Sequence, residues 1–253
     1  MKKLLFLILG IIVIGICLGS VSTEKKTSIN GSTYDNDVED SFIVIYNKPV
    51  YGYQVKAVVK LIDEEFPVLS ANLTFTKDGD SFTLPTSCFG DSLFCKGRMG
   101  CLENEQVFEK YHQKTVAADY RANKEDGRTF PIGVPFFFMD MDFDGVEDLV
   151  IVHQSMADRF HDGYDVYRIV EGKPILINYP PFWNEMNYGF GMADYPKVSF
   201  RKKMISCPYP EGEMTYEGMV TYGISKSRKD TIVVNGRTHC FNHLDTIKTI
   251  KYK

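Results

Sequence analysis

The segment Asp140-Met-Asp142-Phe-Asp144-Gly145-Val-Glu-Asp148 places five acidic side chains in nine residues, between two apolar runs. Like charges packed so closely repel one another unless a cation sits among them. Hard divalent cations take oxygen ligands, and a loop that curls around one needs oxygens at alternate positions and a sharp turn midway. Asp140, Asp142 and Asp144 stand at loop positions 1, 3 and 5, and Gly145 at position 6 permits the turn because it lacks a Cβ. Val146 offers its backbone carbonyl at position 7, and Asp148 a carboxylate at position 9, directly or through water. Glu147 is expected to face solvent. The expected metal ligands are therefore Asp140, Asp142, Asp144, Val146 and Asp148, and the expected ion is calcium. Magnesium keeps its waters and seldom enters a cage of protein carboxylates.

Position 12 of a helix-loop-helix calcium site carries a bidentate Glu, whereas this chain has Ile151 there. The run after the loop, Leu149-Val-Ile-Val, is β-branched and apolar, and Phe136-Phe-Phe-Met precedes it, so the loop is expected to join two strands. Without the Glu, affinity should fall near the weak end, about 10⁻⁴–10⁻³ M, typical of extracellular modules. The ion is then a staple for the loop more than a participant in activity. The plain alternative is a metal-free turn capped by aspartates.

Other chemistry is sparse. No G-x-S-x-G and no H-E-x-x-H occurs, and no catalytic residue is assigned. The histidines are scattered. His153 ends the strand leaving the acidic loop and reads as a strand-end histidine satisfied by its neighbours. His239-Cys240-Phe-Asn-His243 lacks a companion CxxC, which disfavours zinc. The pairs Glu64/Glu65 and Glu125/Asp126 read as solvated turns.

The ends set the compartment. Lys2 and Lys3 precede an uncharged run from Leu4 to Leu18, followed by Gly19, Ser20 and Ser22, the order of a secretory signal. The run, about 15 residues, is shorter than the roughly 20 that span a bilayer. Residues 1–22 are read as a signal peptide with Thr23 as the mature start, so an exported, periplasmic or cell-envelope location is expected. Membrane contact arises only if the segment stays as an anchor or is lipidated at Cys17, where the preceding Ile16 is bulkier than such signals favour. Cleavage moves the formal charge from −4 to −6, since two lysines and no acids are lost. A nucleic-acid partner is excluded on charge, and a basic partner suits the surface. Cys88, Cys95, Cys101, Cys207 and Cys240 remain, and disulfides are expected in an oxidising compartment, with one thiol left over. A local loop among the first three and a Cys207–Cys240 bridge are the candidates.

The elements that must hold the loop read as mainly β. Residues 23–41 are a polar tether and 42–253 the β-rich body, any division into two lobes falling near 120–130. Strand patterns run through Phe42–Tyr46, Tyr51–Ile62, Val68–Thr76 and Ser81–Leu84, with Asp78-Gly79-Asp80 as a hairpin turn. Others cover Phe130–Met139, Leu149–His153, Tyr164–Val170, Pro174–Asn178, Lys197–Ser206, Glu213–Ser225 and Thr231–Val234. One helix is expected near residues 102–120. The fold class is antiparallel strands and hairpins, sandwich or propeller-like. Tyr179-Pro-Pro-Phe-Trp183 and Tyr188-Gly-Phe-Gly form an aromatic loop that either plugs the core or presents a recognition surface.

The string Asp142-Phe-Asp144-Gly145-Val-Glu-Asp148-Leu149-Val-Ile resembles the calcium loop of FG-GAP, integrin-type propeller repeats. It also resembles a bacterial family of periplasmic proteins related to a Xanthomonas immunity protein that inhibits lysozyme-like peptidoglycan hydrolases. The second resemblance is fuller: one loop, then Tyr164-Asp-Val-Tyr167, Pro174-Ile-Leu-Ile and the late strands, over roughly residues 130–253. It implies an exported inhibitor or binding protein whose partner is a basic envelope protein such as a peptidoglycan hydrolase. A glycan-binding or adhesion module, and an envelope hydrolase, are the alternatives.

Overall fold

Period-two alternation along most of the chain turns one face of each strand apolar, and the strands assemble into three sheets. The computed structural model describes residues 40–62, 68–87, 89, 101–122, 130–131, 134–154, 162–177, 196–210 and 216–251. All belong to one unit, Asp37–Lys253. The expected signal and the expected tether up to residue 39 lie outside the described residues, as do the aromatic loop and the two acidic pairs.

The first sheet contains β1 (Phe42–Tyr46), β2 (Gln54–Ile62), β3 (Val68–Lys77), β4 (Asp80–Thr86) and β5 (Thr115–Ala118), in the order β4-β3-β2-β1-β5. Its pairs are antiparallel except β1 with β5, which is parallel. The β3–β4 turn is the expected one, with Asp78 and Gly79 both at positive φ. The middle sheet is a meander of β6 (Phe136–Met139), β7 (Asp148–Gln154), β8 (Asp162–Val170) and β9 (Lys173–Leu176). The third is another, of β10 (Lys197–Ser199), β11 (Met204–Pro210), β12 (Tyr216–Val234) and β13 (Arg237–Lys251).

Packing of side chains shows how the sheets are layered. Phe136, Phe138, Leu149 and Ile151 of the middle sheet join a core with Val44, Val59, Leu73 and Phe75 of the first. Their neighbours Phe137, Met139, Val150 and Val152 join a second core with Ile205, Tyr222 and Leu244 of the third. Strands β6 and β7 of the middle sheet are thus buried on both faces, which is why β6 is apolar at every position. The fold is a mainly antiparallel β stack with one helix and no closed barrel among the described residues.

The helix α1 (Cys101–Tyr111) is shorter than the pattern suggested. Gln113 adopts a left-handed φ of 58°, giving its N–H to Ser41, and the chain then enters β5. Parallel pairing with β1 thus overrides the helical spacing of Val116 and Ala118. The strand patterns around Glu213–Ser225 and Thr231–Val234 merge into one strand, β12, interrupted by a bulge between Ile224 and Lys229. Its partner β13 carries too many charged and exposed residues to show as a strand in sequence. Among the described residues no helix is long and apolar enough to cross a membrane.

The expected Cys207–Cys240 bridge is not formed, and both are free thiols. Cys207 pairs with Val220, which pairs with Thr249, nine residues along β13 from Cys240. That offset is roughly 30 Å of strand, far beyond disulfide reach. Cys88 and Cys95 lie outside the described residues, as does the side chain of Cys101. Burial pushes the Cys207 thiol up to about 12, whereas Cys240 is exposed. A thiol reagent applied to native protein should therefore label Cys240 and spare Cys207 until denaturant is added, as read by peptide mass spectrometry.

Candidate metal centre

The loop between β6 and β7 begins where Asp140 leaves a strand buried on both faces. Met141 and Phe143 plug it into the second core. Phe143 takes a φ of 63° to do so, and Gly145 follows at 94°. This curl gathers the carboxylates: Asp140, Asp142 and Asp144 each offer an oxygen within 4.8 Å of the others. Three of the five expected ligands are thereby brought together.

Backbone donors hold these carboxylates in place. The Asp144 N–H reaches Asp140 Oδ1 at 3.0 Å and Asp142 Oδ1 at 3.2 Å. Gly145 N–H donates to Asp140 Oδ2 at 3.0 Å, and Val146 N–H to Asp144 Oδ1 at 2.8 Å. A carboxylate oxygen has two lone pairs and can accept more than one bond, so these contacts leave capacity for a cation. Val146 is 61% exposed. Glu147 is exposed, as expected. Asp148 is buried at the start of β7, and its Oδ2 accepts the Met141 N–H at 3.0 Å, tying the two ends of the loop together.

Asp142 is the anchor. At 1% side-chain exposure its Oδ2 accepts from Arg168 Nη2 at 3.1 Å and from the Asn242 N–H at 2.9 Å. The Asn242 side chain returns a bond to the Asp142 carbonyl at 3.0 Å. Arg168, itself 3% exposed, also pairs through Nη1 with Asp230 Oδ2 at 3.3 Å, and its guanidinium lies 4.3 Å from the centre of the Phe241 ring. Asp230 continues to His243 Nδ1 at 2.9 Å. Arg168 projects from the middle sheet and Asp230 and Asn242 from the third, so the acidic loop is clamped at their junction.

None of Arg168, Asp230 and Asn242 stands out in sequence, since they lie 26, 88 and 100 residues beyond Asp142. Arg168 stands between Tyr167 and Ile169 in β8, a strand that also carries Asp162 and Asp165, so little in the sequence marks it as a buried arginine. His153 lies at the end of β7 away from the acidic loop, where Asp165 and Ser87 satisfy its ring nitrogens as expected of a strand-end histidine. His239-Cys240-x-x-His243 does not assemble: Cys240 and His243 fall on opposite faces of β13, and His243 is engaged by Asp230.

Burial raises the Asp142 carboxyl from 3.8 to about 6, against the pull of Arg168 and with the push of Asp144. Burial, then Asp142, raises Asp148 in the same direction. The folded chain without a cation therefore binds protons more readily than the unfolded chain between about pH 4 and about pH 6, so its stability falls as pH rises through that window. Thermal melts in chelator across the window should show that fall, and a divalent cation should reverse it. Arg168→Leu leaves Asp142 and Asp230 buried without their cation and is expected to cost about 3–5 kcal/mol in denaturant unfolding at neutral pH. No family model, curated protein or solved structure matches this chain, so the reading of the site rests on its own geometry.

Proposed function

We propose that this chain is an exported calcium-binding protein that acts by binding a partner of the cell envelope, with a lysozyme-like peptidoglycan hydrolase as the partner class. The observation that supports the cation is that Asp140, Asp142 and Asp144 each offer a carboxylate oxygen within 4.8 Å of the others. Calcium is favoured over magnesium because the donors are protein carboxylates, with the Val146 carbonyl and Asp148 available to extend the set. The ion serves as a staple: Asp142 is already committed to Arg168 and Asn242, so added positive charge at the loop strengthens the joint between two sheets. The partner reading is supported by the resemblance of residues 130–253 to periplasmic inhibitors and by the charge of −6 left once the signal is removed.

Millimolar calcium is expected to raise the melting temperature, and Asp140→Asn with Asp144→Asn should remove the rise while Asp142 and Asp148 keep their buried bonds. A parent protein indifferent to calcium would overturn the cation assignment. The partner is tested with a lysozyme-type hydrolase on peptidoglycan, where the calcium-loaded protein should slow turnover. Retention on peptidoglycan without inhibition would replace the inhibitor by a glycan-binding module.

A further inference from the structure

Away from the acidic loop, the first and middle sheets meet where the end of β4 crosses the end of β7. Thr86 Oγ1 donates there to the Val152 carbonyl. Next to it, Ser87 Oγ lies 3.3 Å from His153 Nδ1, and His153 Nε2 lies 3.0 Å from Asp165 Oδ2. The backbone N–H of Ser87 also reaches Nδ1, at 3.3 Å. An N–H can only donate, so in the neutral imidazole Nδ1 holds the lone pair, and Nε2 holds the proton given to Asp165. The basic nitrogen therefore faces the Ser87 hydroxyl.

Strand register sets this order. Ile151 pairs with Asp165 and His153 with Gly163, so His153 and Asp165 are diagonal neighbours on the face turned to the first sheet. Asp165 is buried and takes a second bond from the Tyr167 hydroxyl at 3.5 Å. Burial, then Asp165, pushes the Tyr167 phenol up to about 12, so it stays a donor. Ser87 and His153 border a cleft of about 300 Å³, also lined by Val58, Lys60, Ile62 and Asn72. The His153 side chain is 25% exposed, within reach of a small molecule in that cleft.

We propose that Ser87 is the nucleophile and His153 the base of an acyl-transfer site, with Asp165 as the positioning residue, and that the substrate is a carboxylic ester with a short acyl chain. Ser87 Oγ attacks the carbonyl carbon as its proton passes to His153 Nδ1, and the carbonyl electron pair moves onto oxygen. Collapse expels the alcohol, which takes the proton from Nδ1. Water then repeats the sequence on the Ser87 acyl ester, releasing the carboxylic acid and restoring the serine. Protonation of Nδ1 frees the Ser87 N–H to donate to the developing oxyanion, and Lys60 and Asn72 line the same cleft with further donors. The cleft lies at the small end of ligand pockets, and its Val58 and Ile62 walls suit a short aliphatic acyl group.

The test treats the full chain with a fluorophosphonate probe, maps the adduct by peptide mass spectrometry and follows p-nitrophenyl acetate and butyrate hydrolysis in parallel. The expected adduct is on Ser87, with fluoride lost. Ser87→Ala should lower turnover by about 10³-fold or more, and Asp165→Asn should lower kcat by about 10²-fold or more with KM held. The adduct is read on the parent protein, so the outcome does not depend on a variant folding. An unlabelled Ser87, or turnover that Ser87→Ala leaves intact, overturns the proposal.

Discussion

A carboxylate taken almost wholly out of water must find a countercharge and its full set of hydrogen bonds, or give up its charge. Asp142 finds them in Arg168 and in the Asn242 N–H. Arg168 in turn is buried between Asp142 and Asp230, with the Asn242 carbonyl and the Phe241 ring against it. Asp230 follows the β12 bulge, where four residues, 225–228, stand opposite His243 alone. Ser225 Oγ accepts the Arg228 N–H at 3.1 Å to close that bulge, and the bent ribbon brings Asp230 and Asn242 under the guanidinium. Loop, β8, β12 and β13 thus depend on one buried ion pair. A pair of this kind adds little net stability over an apolar replacement, but it penalises every arrangement in which either partner is missing.

The same constraint explains the layering. A sheet covered on both faces has no wet side to which a charge can turn, so its polar residues must be satisfied where they stand. Along β7 those residues sit at the ends: Asp148 at the acidic loop and His153 beside the first sheet. They are five residues apart, roughly 17 Å of strand. Leu149 through Val152 between them alternate between the two cores. One rigid strand therefore carries an electrostatic site at each end, with different chemistry because the neighbouring sheets differ.

What could be read from the sequence was local. Aspartates spaced by two residues around a glycine announce oxygen ligands wherever they occur, and Asp78-Gly79 announces its turn. Even so, the left-handed Phe143 that folds the loop inward gave no signal, nor did Gln113, which ends the helix without a glycine. Arg168, Asp230 and Asn242 come to Asp142 only through sheet packing, so their role depends on pairings dozens of residues apart. Ser87 and His153 are 66 residues apart and meet only where two sheets cross. Strand β13 escaped notice because its stability comes from pairing along β12 and not from an apolar face of its own.

In the proposed calcium-bound protein, Asp142 serves the ion and Arg168 together. A crystal structure grown in calcium tests it most directly. The expected result is an ion about 2.3–2.6 Å from oxygens of Asp140, Asp142 and Asp144, with Asp142 Oδ2 still bonded to Arg168 and to the Asn242 N–H. A loop that takes no ion in saturating calcium, or an ion bound only after Asp142 swings away from Arg168, would contradict it.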